Sequence, residues 1–159
     1  MSSATSDDEY VKRERREYPV RTVAVVIIVD HRERILLVRT KRLPHHWQPP
    51  GGGVKPSDVS PDAAAVREVY EEVGIKLASS KIRKFCETSY DFGAGVVHFF
   101  IAPAPQEFDI KVNEAELAAW QWVSLEVALT LPMFPATEKS LQFLANNNDI
   151  LSDAARDVS

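Results

Sequence analysis

Apolar residues occur in short runs separated by polar turns, and this pattern predicts a series of strands. Val20–Val29 is short, β-branched and largely apolar, which is typical of a strand buried on both faces. A polar turn follows at residues 30–33, and the apolar pattern resumes at Arg34–Arg39, so the two segments predict a hairpin. Further strands are predicted at residues 81–90, 96–102 and 119–123.

One segment has the pattern of a helix with clear signals at both ends. Ser60 is a suitable N-cap, Pro61 fits the first helical position, and Gly74 ends the segment. Shorter helices are predicted to start at Ser124 and near Thr137. Strands mixed with helices predict an α/β fold in which helices pack on a central mixed sheet.

Loops and polar ends complete the organisation. The proline-containing residues 43–50 and the glycines that follow predict a loop that extends to residue 60. Residues 1–18 are charged and without periodicity, which predicts a flexible N-terminal arm, either a solvated tail or a frayed helix, or alternatively an arm that closes over a substrate or partner. The folded domain is expected at residues 19–145, and residues 146–159 are expected to form a polar, disordered C-terminal tail.

Composition narrows the class of protein. The 159 residues suit one domain, and 45% hydrophobic with 26% charged residues is a globular composition. The single cysteine, Cys86, excludes an intrachain disulfide and a zinc site built on several thiolates. A net charge of −4 argues against nucleic-acid binding through a generally basic surface.

Targeting signals are missing from the sequence pattern. The longest apolar run, Val23–Val29, is far shorter than the roughly 20 residues of a membrane-spanning helix. The first residues are polar and acidic, unlike a signal peptide. We therefore expect no membrane partner and a cytoplasmic or nuclear location, with secretion of a processed form as the alternative.

The predicted helix carries the most informative chemistry. Glu68, Glu71 and Glu72 are spaced i, i+3, i+4 and therefore lie on one side of the helix. Such a stripe is either a solvated acidic face or a set of oxygen ligands for a hard dication such as Mg²⁺ or Mn²⁺. The glycine run at residues 51–53 favours the second interpretation, because glycine backbone can approach a ligand closely and its carbonyl can coordinate a metal. A carboxylate-held metal with open positions is suited to phosphate chemistry.

Gly53 together with Arg67–Ile75 resembles the Nudix box, G-x5-E-x7-R-E-U-x-E-E-x-G-U with U apolar. Eight of its nine specified positions match at the correct spacing, and the exception is the first glutamate, where this chain has Val59. The similarity extends over about residues 20–145, through the W-x-x-P-G-G-G stretch and the closing W-V-S-L-E-x-A helix. The chain resembles Nudix hydrolases, among them diphosphoinositol polyphosphate phosphohydrolases and dinucleoside tetraphosphate hydrolases.

This resemblance implies an α/β/α sandwich and a Mg²⁺-dependent hydrolysis, with Mn²⁺ as an alternative, in which water attacks phosphorus in a diphosphate linked to a group X. The implied metal ligands are Glu68, Glu71, Glu72 and the backbone carbonyl of Gly52. Glu72 or Glu68 is also expected to help activate water. Arg67 is expected to orient a glutamate of the box through an ion pair rather than to contact substrate.

The departure at Val59 leaves the number of bound metals open. Asp58 is the neighbouring carboxylate that could substitute through a one-residue shift of the loop. Family members often draw a further acid from a loop outside the box, and Glu116, spaced ahead of Trp122, fits that place as a catalytic candidate. Glu114 lies in the same segment, and both acids are alternatively part of a solvated loop.

Several features bear on the group X. Residues 44–50 resemble the P-x-x-W-x-x-P stretch of the diphosphoinositol enzymes and, more closely, the P-H-H-W-x-P-P stretch of the dinucleoside tetraphosphate hydrolases. The following G-G-G-V-K-P favours the first group, whereas residues 119–131 favour the second. The candidate substrate-binding residues are Arg39, Lys41, Arg42, Trp47, Gly51, Gly53, Lys55 and Tyr90. The cations are alternatively solvated charges, and Trp47 and Tyr90 are alternatively packing residues. The neighbouring His45 and His46 are expected to be surface residues of the loop.

Three functional hypotheses follow from these observations. The first is hydrolysis of a long phosphate chain, in a dinucleoside polyphosphate, a diphosphoinositol polyphosphate or an RNA 5′ cap. The second is a sanitising pyrophosphohydrolase for nucleoside triphosphates or oxidised nucleotides. The third is a Nudix module that binds nucleotide or RNA without cleaving it. The sequence gives neither the oligomeric state nor the phosphorus that is attacked.

Overall fold

The computed structural model describes residues 3–158, with side chains from Asp8 onward. A short 3₁₀ helix spans Ser79–Lys81. In chain order the elements are α1 (Ser3–Glu17), β1 (Val20–Val29), β2 (Ile35–Thr40), β3 (Gly51–Gly53), α2 (Pro61–Val73), β4 (Arg83–Ser89), β5 (Ala94–Pro103), β6 (Leu117–Val123), α3 (Leu125–Ala128), α4 (Pro135–Ala145) and α5 (Asn148–Arg156).

All strands belong to one mixed sheet. The strand order is β4-β5-β1-β2-β6, and β3 pairs with β1 outside this path. The central pair of β1 and β5 is parallel, whereas the remaining strand pairs are antiparallel. The predicted hairpin is β1 and β2, joined at the pair of Val29 and Ile35.

Side chains of β1 alternate between two apolar clusters, one on each face of the sheet. On one face, Ala24, Val26 and Ile28 pack with Val69 and Val73 of α2. On the other face, Ile27 and Val29 pack in a cluster with Leu141 of α4 and residues of α5, and Val25 belongs to a smaller cluster with Tyr90 and Phe99. This explains why β1 is apolar almost throughout, and it confirms the predicted α/β/α sandwich with a central mixed sheet.

Helix α2 begins and ends where its sequence signals predict. The Ser60 hydroxyl accepts a hydrogen bond from the backbone N–H of Ala63 at 3.3 Å, and Pro61 occupies the first turn. Gly74 has a left-handed conformation with φ of 75°, and its N–H donates to the Tyr70 carbonyl. These signals fix the start and end of the helix that carries the three glutamates.

Both polar ends differ from the sequence expectation. The N-terminal arm forms α1, so the alternative of a helix agrees with the structure, but the helix is docked and not solvated all round, because its Glu14 is buried with 2% of its surface exposed. The expected disordered tail contains α5, because Leu151 and Ala154 are spaced one helical turn apart and pack onto the sheet. Helix α4 begins at Pro135, two residues before the predicted Thr137. Among residues 3–158, no helix is both long and apolar enough to span a membrane.

Candidate active site

A cleft of about 420 Å³ opens beside α2, β3 and the C-terminal end of α1. Two carboxylates of α2, Glu68 and Glu72, line it together with Glu116 from the loop before β6. The basic residues Lys41 and Arg42 line another part of it. A backbone hydrogen bond connects the two parts, because the Lys41 N–H donates to the Glu116 carbonyl at 2.8 Å. The cleft therefore combines acidic and basic walls, as a site for metal and phosphate requires.

Glu72 is the most deeply buried glutamate of α2, with 4% of its surface exposed. The backbone N–H of Gly51 donates to its Oε1 at 3.2 Å. Burial, together with the nearby charges of Glu68 and Glu116, raises the pKa of Glu72 to about 8, although the Gly51 hydrogen bond acts in the opposite direction. Burial also raises the pKa of Glu68 against the lowering effect of Arg67. These carboxylates are thus short of compensating positive charge.

The glycine run forms β3 rather than the predicted loop, because Gly51, Gly52 and Gly53 pair with β1. A Cβ atom on Gly52 would stand 2.7 Å from the carboxylate of Glu68, closer than real contacts allow. A Cβ atom on Gly51 would meet the Ala24 carbonyl oxygen at 2.3 Å. Glycine at Gly52 therefore lets the backbone of β3 lie directly against Glu68.

Arg67 connects the loop before α2 with the glutamates. Its Nε and Nη2 donate to the two carboxylate oxygens of Asp58, each at 2.9 Å. Its Nη1 donates to Glu68 at 3.0 Å and to Glu71 at 3.2 Å. The hydrogen bonds from Arg67, together with the Lys55 backbone N–H, lower the pKa of Asp58 to about 2. The structure thus pairs Asp58 with Arg67, and it leaves the neighbouring Val59 side chain 92% exposed.

The donor types suit a hard dication. Glu68, Glu72 and Glu116 offer carboxylate oxygens, the backbone of Gly52 lies against Glu68, and Glu72 is buried. Glu71 is set further out, half exposed and bound by Arg67. In the described part of the chain no three His, Cys, Asp or Glu side chains lie close enough to enclose an ion. Metal binding therefore needs these side chains to turn toward a common point.

The predicted substrate-binding residues divide into two groups. Lys41, Arg42, Gly51 and Tyr90 line the cleft. Outside its lining are Arg39, Trp47, Gly53 and Lys55. The Arg39 guanidinium lies 4.8 Å from the centre of the Trp47 ring and donates to the Pro44 carbonyl at 3.1 Å. Trp47 packs against the core cluster of α4, in agreement with its structural reading.

Sequence reasoning missed a third group of cleft residues, which comes from the N-terminal segment. Glu14, Tyr18 and Arg21 line the cleft, and the Tyr18 ring lies 4.3 Å from the Arg21 guanidinium and 5.2 Å from that of Arg42. The sequence pattern allows the charged N-terminal segment to be an arm that closes over a substrate, but nothing in the pattern singles out Glu14, Tyr18 or Arg21.

One end of the cleft, near Arg21, is apolar and aromatic. Tyr90 is buried, and its hydroxyl has no hydrogen-bond partner among the described residues, although Arg21 lies near it. The Tyr90 ring packs edge-on against Phe92 at 5.5 Å. Further apolar lining comes from Val25, Val97, Phe99 and Ala136. This end is suited to a flat, partly apolar group carrying a polar atom.

Comparisons with known proteins agree with the resemblance found in the sequence. The NUDIX domain family matches residues 19–144. Diphosphoinositol polyphosphate phosphohydrolase 3-alpha of Mus musculus is 51% identical over 47 residues, which are 30% of this chain and 28% of that protein. The MutT protein from Methanosarcina mazei Go1 has a TM-score of 0.67 at 25% identity, covering 83% of this chain and 97% of that one. A C. elegans Ap4A hydrolase has a TM-score of 0.65 at 23% identity, covering 81% and 98%.

The fold is an α/β/α sandwich in which α2, the helix with the three glutamates, packs against β3, the strand of three glycines, as the resemblance to the box implies. The chain belongs to the Nudix family, whose match covers most of its length. The matched segments span less than half the length of the curated relatives. The likeness to the Ap4A hydrolase concerns the fold alone.

Proposed function

We propose that this chain is a Nudix hydrolase that uses a divalent cation, Mg²⁺ or alternatively Mn²⁺, to cleave a diphosphate linkage within a long phosphate chain. The observation that carries the proposal is the pairing of buried carboxylates with cations in one cleft. Glu68 and Glu72 lie on one wall, and Lys41 and Arg42 lie on another. An all-acidic cleft would hold a metal but would repel the remainder of a polyphosphate.

Each wall has a distinct role in this proposal. The bound cation would neutralise phosphate oxygens and lower the pKa of a water molecule. Glu68 and Glu72, with the Gly52 carbonyl and Glu71, would hold it, and Glu72 or Glu116 would accept a proton from the attacking water. Arg67 would fix the orientation of Glu68 without touching substrate, because its donors are directed to Asp58 and to the glutamates.

The apolar end of the cleft bears on the group X. An inositol ring carrying phosphates is anionic on every side, whereas Tyr90, Phe92 and Phe99 form an apolar surface. Aromatic side chains are suited to stacking with a nucleobase. We therefore place dinucleoside polyphosphates first, ahead of the diphosphoinositol polyphosphates named in the mouse relative and of an RNA 5′ cap.

A nucleoside triphosphate or oxidised nucleotide is the second candidate. The same aromatic end would accommodate one base, and a solved structure with the same fold is named MutT. The third candidate, binding without cleavage, is supported by Val59 in place of the usual glutamate. The intact set of Glu68, Glu71 and Glu72 argues against it.

A substrate panel with Mg²⁺ tests these candidates. The panel would contain dinucleoside polyphosphates, diphosphoinositol polyphosphates, capped RNA, nucleoside triphosphates and oxidised nucleotides, with release of phosphate or nucleotide followed for wild type and Glu72→Gln. We expect turnover of long phosphate chains by wild type alone. Turnover confined to mononucleotides would reject the first candidate. Ligand binding without turnover of any compound would reject hydrolysis.

A further inference from the structure

Arg42 lies in the wall of the cleft, but one edge of its guanidinium, formed by Nε and Nη2, is already occupied by carboxylates. Its Nε donates to Glu14 Oε1 at 2.5 Å, and its Nη2 donates to Glu17 Oε1 at 3.2 Å. A guanidinium binds a phosphate group most effectively through two parallel N–H donors. With α1 in this position, that pair of donors is unavailable to a phosphate.

Helix α1 is held in place by polar and ring contacts. Arg13 Nη2 donates to the Arg42 carbonyl at 2.8 Å, and the Tyr10 ring packs edge-on against His45 at 5.7 Å. From Asp8 to Glu17, no side chain belongs to the apolar core clusters of the sheet. Undocking α1 would therefore expose little apolar core, so the free-energy cost of its release is small compared with that of a core helix.

The position of Glu14 is unfavourable for a polyanion. Its side chain is 3% exposed and lines the same cleft as Arg42. A carboxylate there repels phosphate and also neutralises the cation that would attract it. The pair is stable within the protein because each charge compensates the other, but a bound phosphate chain would compete directly with Glu14.

We propose that α1 is an autoinhibitory element in which Glu14 and Glu17 compete with substrate phosphate for Arg42. This inference rests on the proposed binding of phosphate chains in the cleft. A long phosphate chain binds by displacing the two carboxylates from Arg42 and releasing α1. A short substrate that does not reach Arg42 leaves α1 docked, so the helix also affects the choice of substrate length.

Two other roles for α1 predict the opposite experimental results. If Glu14 only held Arg42 ready for substrate, its removal would weaken phosphate binding. If α1 closed over a bound substrate, phosphate would protect α1 from protease. The two roles are therefore separable by measuring binding and protease sensitivity, without any need for catalysis.

The test uses inorganic tripolyphosphate with Mg²⁺ in the full chain, in a Glu72→Gln background that suppresses turnover. Calorimetry would compare Glu14→Gln, Glu17→Gln and, as the matched control on the same helix, the exposed Glu9→Gln. We expect Glu14→Gln to bind tripolyphosphate about threefold to tenfold more tightly, Glu17→Gln to show a smaller gain, and Glu9→Gln to be unchanged. The gain from Glu14→Gln should vanish when Arg42→Ala is also present.

Limited trypsin digestion of the full chain that carries only the Glu72→Gln substitution provides the second measurement. Tripolyphosphate should accelerate cleavage after Arg15 and Arg16 of α1, as followed by mass spectrometry. Unchanged or weaker binding by both folded variants, Glu14→Gln and Glu17→Gln, would overturn the proposal, and so would protection of α1 by tripolyphosphate. Because binding is measured without turnover, these outcomes stay distinct from failure of the substrate panel.

Discussion

Asp58 and Arg67 form a two-point ion pair, in which Nε and Nη2 of the arginine each lie 2.9 Å from a different carboxylate oxygen. The box pattern has its first acid at the next position, where the exposed Val59 stands. Arg67 also reaches Glu68, so the pair joins the loop before α2 to a carboxylate of the cleft. Asp58 therefore supports Glu68 indirectly, through the orientation of Arg67.

Replacing Asp58 with alanine should impair the site without unfolding the protein. Arg67 would lose two of its acceptors and would be free to move, so Glu68 would lose its fixed orientation. Loss of such an outer partner typically lowers metal affinity or activity by about tenfold to a hundredfold. Steady-state kinetics and Mn²⁺ titration would measure the two effects.

Val59→Ala is the matched control for that substitution, because it occupies the adjacent position and its side chain contacts solvent. It should leave both metal affinity and kcat/KM within about twofold of wild type, as expected for a surface substitution. If Val59→Ala were as damaging as Asp58→Ala, the loop as a whole, and not the ion pair, would support the site.

Gly52→Ala should disturb Glu68 directly. The added Cβ would stand 2.7 Å from the Glu68 carboxylate, and this side chain is the one that must yield. We expect weaker binding of the divalent cation and a loss of kcat/KM of about tenfold or more. The variant should keep its fold, since its backbone stays outside the left-handed region.

Gly53→Ala provides the comparison. It is the first residue of the box, and its added Cβ would meet the movable end of the Arg21 side chain at 2.9 Å. Arg21 can shift, so we expect a smaller loss of kcat/KM than for Gly52→Ala. Equal losses in the two variants, measured beside circular dichroism, would mean that distortion of β3 and not displacement of Glu68 is responsible.

Leu151→Ala tests whether α5 is part of the folded domain. Leu151 is 7% exposed and packs in the cluster of α4 and α5. Truncating a buried leucine typically costs about 2 to 5 kcal/mol in the free energy of unfolding. Urea denaturation would measure it, with Val127→Ala, a 48% exposed aliphatic side chain, as the control. Equal stability of the two variants would show that α5 adds nothing to the core.

Sequence reasoning predicted what depends on local signals. The start and end of α2 follow from Ser60, Pro61 and Gly74, since capping and left-handed glycine act within one turn. The central strand followed from its unbroken apolar run. The α/β/α layers follow because such a strand must be covered on both faces.

Long-range partners account for most of what sequence reasoning did not predict. Glu14 and Arg42 are 28 positions apart, and nothing in either segment shows that they pair. The glycine run pairs with β1, although glycine alone favours a loop. Helix α5 depends on packing of Leu151, whereas its polar start at residues 146–148 resembles a tail.

Glu72→Gln tests the link between the buried charge and the proposed cation. Divalent cation that binds only the folded state raises its stability by about 2.7 kcal/mol at a hundredfold excess over Kd. We expect Mg²⁺ to raise the Tm of wild type and to raise that of Glu72→Gln much less, because one ligand is lost. Without cation, Glu72 of the folded wild type is mostly protonated below its pKa of about 8, whereas in the unfolded chain it is charged above its ordinary pKa of 4.5. The variant should therefore unfold at about the same temperature as wild type below pH 4.5 and at a higher temperature above it, because wild type must then take up a proton or bury a charge on folding. Its kcat should fall by about two orders of magnitude or more.

Calorimetry with Mg²⁺ or with EDTA would measure the shifts in Tm, using Glu9→Gln as the control. An equal Mg²⁺ shift in wild type and Glu72→Gln would place the cation away from Glu72.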